Sequence, residues 1–142
     1  MKIKAVLATV LCAVLVTPAM AARLTDANGH EIGSVSSNGS GDRTYRDGDG
    51  HERGTSTTHS NGETTFRDAD GHTRGTARSN GNGETTFRDA NGHRVGTAVS
   101  NGNGETTYRD DDGHVIGTSR IDSSGNKVYR DANGHEVASL TK

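Results

Sequence analysis

An all-β fold made of tandem repeats is predicted by three observations. Histidine recurs as His30, His51, His72, His93, His114 and His135, an unbroken spacing of 21, and a fixed period of this size marks a repeat array. Asn-Gly or Asp-Gly stands just before each of these histidines, from Asn28-Gly29 to Asn133-Gly134, and such dipeptides are the strongest short-range hairpin signal because both residues tolerate positive φ. Thr, Val, Tyr and Phe concentrate between the turns, as β-preference requires, and no useful length shows helical 3.6 spacing.

The chain opens outside the repeat. Lys2 and Lys4 precede an almost unbroken apolar run from Ala5 to Val16, and Ala19-Met20-Ala21 fits a small-x-small cleavage pattern. Residues 1–21 therefore read as a secretory signal peptide cleaved after Ala21. The run is short for a bilayer and no later segment is more apolar, so no membrane span is expected after cleavage. Cys12 is the only cysteine. Leu11 precedes it and the apolar run continues past it, which excludes a lipoprotein site. The mature chain would then enter an oxidising compartment with no disulfide to form.

Residues 22–142 hold six copies of the unit. Taking the histidine as position zero, an aspartate stands four residues earlier: Asp26, Asp47, Asp68, Asp89, Asp110 and Asp131. A glycine follows three residues later in five copies, from Gly33 to Gly117, with Ala138 in the sixth. A second, looser turn comes next, as in Asn80-Gly81-Asn82-Gly83. Then a strand-like run such as Glu63-Thr64-Thr65-Phe66-Arg67 carries one aromatic per unit: Tyr45, Phe66, Phe87, Tyr108 or Tyr129. Leu24 takes that place in the first unit. Each unit is thus strand, tight turn, strand, looser turn.

Period two puts Thr64, Phe66 and Asp68 on one face and Glu63, Thr65 and Arg67 on the other. The aromatics are expected to be the core, with a partner two residues past the histidine: Ile32, Val95, Ile116 and Val137, replaced by Arg53 and Arg74 in two copies. Leu, Ile, Val and Phe number only 13 of the 121 residues from Ala22 on, so hydrogen bonding and stacking between units must contribute. A single unit is not expected to fold alone. The favoured path is an elongated array of antiparallel β-hairpins. Its alternative is a two-stranded parallel β-solenoid with equivalent residues stacked about 4.8 Å apart, whose sheet edges would permit self-association into fibrils.

The (Tyr/Phe)-Arg-Asp-x-(Asn/Asp)-Gly-His run resembles the YD repeat of Rhs and teneurin-type extracellular proteins. Tyr108, Asp110 and Gly113 match that pattern in type, while Arg109 is inserted and His114 replaces the usual arginine. The resemblance covers nearly all of the chain from Leu24 on. It implies strand-built extracellular repeats used for shells or surface contact, with carbohydrate binding suggested for some members.

Two chemistries compete at the tight turns. The candidate metal ligands are Asp26 and His30; Asp47, Asp49 and His51; Asp68, Asp70 and His72; Asp89 and His93; Asp110, Asp112 and His114; and Asp131 and His135. Carboxylates suit calcium, and imidazole suits zinc, nickel or copper. His59 stands out of register and would add a ligand near the second unit. The plainer reading is turn chemistry: Asp and Asn bond the backbone, glycine supplies positive φ, and histidine is an exposed strand-start residue.

Enzyme activity is not expected, because every copy is equivalent and a nucleophile needs one distinctive pocket. With 14 basic against 18 acidic residues after Ala21, the chain has no electrostatic footprint for nucleic acid. The expected function is that of an exported bacterial protein, periplasmic or secreted, with a structural or adhesive role. Its partner would be a cell-surface component or glycan. The alternative is a metal-binding or buffering protein; no cofactor is required for the first role.

Overall fold

The computed structural model describes residues 21–141, so all but the last residue of the expected leader, Cys12 included, lies outside the described residues. Twelve strands follow one another: β1 Ala22–Asp26, β2 Glu31–Ser37, β3 Asp42–Asp47, β4 Glu52–Thr58, β5 Glu63–Asp68, β6 Thr73–Ser79, β7 Glu84–Asp89, β8 Arg94–Ser100, β9 Glu105–Asp110, β10 Val115–Ile121, β11 Lys127–Asp131 and β12 Glu136–Thr141. Each pairs antiparallel with its chain neighbours, and β1 pairs with β12 through Arg23↔Thr141, Leu24↔Leu140, Thr25↔Ser139 and Asp26↔Ala138. The sheet is a closed barrel.

This overturns both expected paths. The parallel solenoid fails because every strand pairing is antiparallel. The elongated hairpin array has the right connections between neighbours but the wrong global course, because the ends of the meander meet. The reason is physical. A single open layer would leave its aromatic column in water on one side, whereas a twisted sheet closing on itself turns that column inward. Closure also removes both sheet edges, so fibril growth through them has no starting point.

The core is the ring of aromatics. Tyr45, Phe66, Phe87, Tyr108 and Tyr129 are all buried, and Leu24 packs against the cluster at the seam. Their cross-strand neighbours differ from the expected ones. Phe66 lies opposite Gly75 on β6 and Ser56 on β4, not opposite Arg74. The register shifts between Phe66 and Arg67, so Arg74 is the extra residue of a β-bulge. The same shift recurs after Leu24, Tyr45, Phe87, Tyr108 and Tyr129. Val95, Ile116 and Val137 are therefore half-buried at the margin of the core, while Ile32 is 44% exposed.

The residues that fill the space beside the rings stand five past the histidine: Val35, Ser56, Ala77, Ala98, Ser119 and Leu140, all buried. Two of the three tyrosine hydroxyls meet serine: Tyr45 with Ser56 and Tyr108 with Ser119, each at 2.9 Å. Where the ring is phenylalanine, the equivalent neighbours are Ala77 and Ala98. In these four pairs polar meets polar and apolar meets apolar, as a buried interior favours, whereas Tyr129 has Leu140 in the equivalent place.

The outer face carries Glu63, Thr65 and Arg67 on β5, with Thr76 and Arg78 on β6, and arginine projects from the odd-numbered strands from Arg46 on. The strands are five to seven residues long and carry charged residues at outward positions. Among the described residues no helix is long and apolar enough to cross a membrane.

Candidate functional site: the histidine rim

A meander sends alternate turns to opposite ends of the barrel. The six tight turns, joining β1–β2, β3–β4, β5–β6, β7–β8, β9–β10 and β11–β12, share one rim. The looser turns occupy the other. Sequence spacing alone placed the histidines in register; closure arranges them as a ring.

Each tight turn is built by its aspartate. In the first, the Asp26 amide donates to the His30 carbonyl at 2.9 Å and the Gly29 amide to the Asp26 carbonyl at 3.0 Å. The Asp26 carboxylate Oδ1 accepts from the amides of Asn28 and His30 at 2.8 and 2.9 Å. Gly29 has φ +83°, and among the described residues no other residue type has positive φ. The turn is therefore a type I turn closed by a left-handed glycine. Only the glycine of each Asn-Gly or Asp-Gly pair needs its conformational freedom. The same Oδ1 contact to the histidine amide recurs at Asp47, Asp68, Asp89, Asp110 and Asp131, at 2.8–2.9 Å.

From outside, arginine clamps the turn. Arg46, Arg88, Arg109 and Arg130 donate to the carbonyls of Gly50, Gly92, Gly113 and Gly134 at 2.9–3.3 Å. The bulge arginines add ion pairs, Arg53 to Asp47 at 3.2 Å and Arg74 to Asp68 at 3.9 Å.

The anchor carboxylates sit below the ordinary aspartate range. In Asp26 the largest cause is the bond from the His30 amide. In Asp47, Asp68, Asp89, Asp110 and Asp131 partial desolvation pushes upward most strongly. It is outweighed by the turn amides together with the neighbouring imidazole. These groups favour the charged form because backbone N–H groups point at it.

The histidines are held in one pose. Nδ1 lies 3.3–3.6 Å from the anchor carboxylate in all six turns, while the side chains of His30, His51, His72, His93, His114 and His135 are 78–79% exposed. A carboxylate at Nδ1 orients the ring and leaves Nε2 for an outside ligand, the arrangement found behind metal-bound imidazoles. The aspartate is thus first of all an orienting and turn-forming group.

Of the fifteen predicted ligands, the structure gathers nine into three-residue groups: Asp47, Asp49 and His51; Asp68, Asp70 and His72; Asp110, Asp112 and His114. In each group one potential ligand atom per residue lies within 4.8 Å of the others. In the turns of Asp26–His30, Asp89–His93 and Asp131–His135 asparagine replaces the middle carboxylate. His59 does not join His51. It lies in the looser turn between β4 and β5, at the other rim, with Nε2 3.1 Å from Thr65 Oγ1.

The looser turns use the same capping device, which the sequence argument did not assign. Asn38, Asn80 and Asp122 each accept two amide bonds through Oδ1. The signal was available: Asn38 and Asn80 stand four residues, and Asp122 five, before the first residue of the next strand. At that end the inward-facing Lys127 rests its ammonium 5.7 Å from the Tyr129 ring centroid, and burial lowers its pKa to about 8.

No protein family matches the chain, and no curated protein does. Among solved structures, BamB from Moraxella catarrhalis superposes with a TM-score of 0.33 at 13% identity, covering 80% of this chain and 58% of that one. BBS1N, in its complex with ARL6DN, gives a TM-score of 0.39 at 8% identity, covering 85% and 64%. The chain thus spans less than two thirds of either protein. Both scores lie below the level at which a shared fold is inferred, so the rim is interpreted from its own geometry.

Proposed function

We propose that this is an exported bacterial surface-interaction module whose histidine rim is the contacting face. One observation carries the reading: six equivalent turns on one end of a closed barrel hold their imidazoles in a single pose with 78–79% of each side chain exposed. The leader-like residues 1–21 support export. Identical weak contacts on a rigid frame act together, so avidity exceeds the affinity of any one turn. Asp49, Asp70, Asp111 and Asp112 stand beside the anchor aspartates, which suits a surface component offering cations or hydrogen-bond donors.

The test is retention of the mature protein on bacterial envelope fractions: peptidoglycan, outer-membrane vesicles and lipopolysaccharide. Changing two, four and then six of the histidines to glutamine is expected to lower retention stepwise while circular dichroism stays constant. Undiminished retention by the six-fold variant would sink the proposal.

A second reading, divalent-metal binding, is favoured by the three turns that bring two carboxylates and an imidazole together. It requires about three equivalents of zinc, nickel, copper or calcium, not six. Calorimetric titration should lose one equivalent in Asp49→Asn. Six equivalents, or none, would rule this reading out.

A further inference from the structure

The repeat departs from its pattern late in the chain, and a hollow sits there. From Arg120 to Val128 the chain reads Arg-Ile-Asp-Ser-Ser-Gly-Asn-Lys-Val, where the preceding unit has Val-Ser-Asn-Gly-Asn-Gly-Glu-Thr-Thr. An open hollow of about 460 Å³ lies on the outer face of β9, β10 and β11. Its lining includes Glu105, Arg120, Asp122, Ser123, Val128 and Arg130, and its volume falls within the range of small-molecule sites. Four of those six residues belong to the divergent segment.

The register fixes the arrangement. Arg120 stands directly opposite Glu105 on one side and Val128 on the other. Arg130 is diagonal to it on β11, within reach of a long side chain. Asp122 is committed to its turn, accepting from the amides of Ser124 and Asn126 and from Asn126 Nδ2. Arg130 spends one N–H on the Gly134 carbonyl at 3.3 Å. Among the described residues Arg120, Glu105 and Ser123 make no side-chain hydrogen bond or ion pair. The groups free to act are therefore two guanidiniums, one carboxylate, one hydroxyl and an apolar floor at Val128.

That set has donors in excess, two guanidiniums against one carboxylate. Guanidiniums only donate, an ionised carboxylate only accepts, and a planar guanidinium pairs best with a carboxylate. We propose that the hollow binds a small zwitterion of amino-acid type. Its carboxylate bridges Arg120 and Arg130, its ammonium meets Glu105, and its hydrocarbon part packs on Val128. The site is separate from the histidine rim and stands or falls independently of it.

The equivalent place on β6 provides an internal control. Arg78 lies opposite Glu63 there too, but Thr86 stands for Val128 and Gly81 for Ser123. Nuclear magnetic resonance titration of the mature protein would use L-alanine, acetate and ethylamine as probes. Alanine is expected to shift the amide signals of Glu105, Arg120, Val128 and Arg130, with binding at least tenfold tighter than either fragment. Arg120→Gln should weaken it at least tenfold, and Arg78→Gln should leave it unchanged. Acetate binding as tightly as alanine would overturn the zwitterion assignment. No shift with any probe, or equal effects of the two arginine changes, would overturn the site.

Discussion

At the scale of single residues, the interior is written in pairs that stand eleven apart. Tyr45 and Tyr108 are followed at that distance by Ser56 and Ser119, and Phe66 and Phe87 by Ala77 and Ala98. In the two tyrosine pairs each hydroxyl that enters the core is received by another. Tyr108→Phe would leave the Ser119 hydroxyl buried and unsatisfied, costing on the order of 1–2 kcal/mol, and Ser119→Ala would do the converse. The double change copies the Phe87 and Ala98 pair and should recover most of the loss in urea unfolding; strictly additive costs would refute the pairing. The anchor aspartates give a second prediction. Their folded carboxylates hold protons less tightly than in the unfolded chain. The stability they contribute is therefore complete above the unfolded value, near pH 4, and is lost as pH falls through the folded values. Melting temperature should hold above about pH 5 and drop below about pH 4. Asparagine at all six positions, which caps the looser turns already at Asn38 and Asn80, should shrink that drop. An equal drop in the six-fold variant would assign it elsewhere.

At the scale of the element, the glycine three past the histidine is required by close approach of strands. A Cβ on Gly33 or Gly117 would lie 2.5 Å from the carbonyl oxygen of Arg46 or Arg130. The glycine also stands opposite the ring of the preceding strand, as Gly54 does to Tyr45 and Gly117 to Tyr108, so the aromatic supplies the packing that the glycine lacks. Only β12, which meets β1 at the seam, has alanine in this place, at Ala138. Gly117→Ala should destabilise by about 1–3 kcal/mol through overpacking, whereas Ala138→Gly should cost about 1 kcal/mol or less. Thermal unfolding of the two variants distinguishes them; equal shifts would mean that the seam is no more open than the other strand pairs.

At the scale of the whole molecule, everything depends on closure. The seam joins residues 114 apart in sequence, through Thr25 Oγ1 and Ser139 Oγ at 2.8 Å, while every other pairing is between chain neighbours. The seam has the greatest loop-closure entropy to overcome and should form late in folding. Removing residues 22–26 deletes β1 and leaves β2 and β12 with bare edges. The truncated protein is expected to oligomerise in light scattering where the intact mature chain is monodisperse. A monomeric, cooperatively folded truncation would show that closure is dispensable.

The sequence by itself determined the local structure. The spacing of His30 through His135, the Asn-Gly and Asp-Gly pairs and the run Thr64-Thr65-Phe66 specify two strands, two turns and an inward aromatic in every unit. Each of these depends on contacts between residues close in the chain. Turn chemistry at Asp26 or Asp110 was legible for the same reason. The tertiary structure decided three things. Closure of β1 on β12 follows from sheet twist and from the need to cover both ends of one apolar face, which no single unit encodes. The bulge at Arg74 and its equivalents shifts the ring's partner from the second to the third residue past the histidine, because a one-residue register change is invisible to period-two patterning. The gathering of six histidines on one rim, with His59 sent to the other, is a consequence of chain course. A periodic sequence can state that its units are alike; only the closed barrel states which of them face one another.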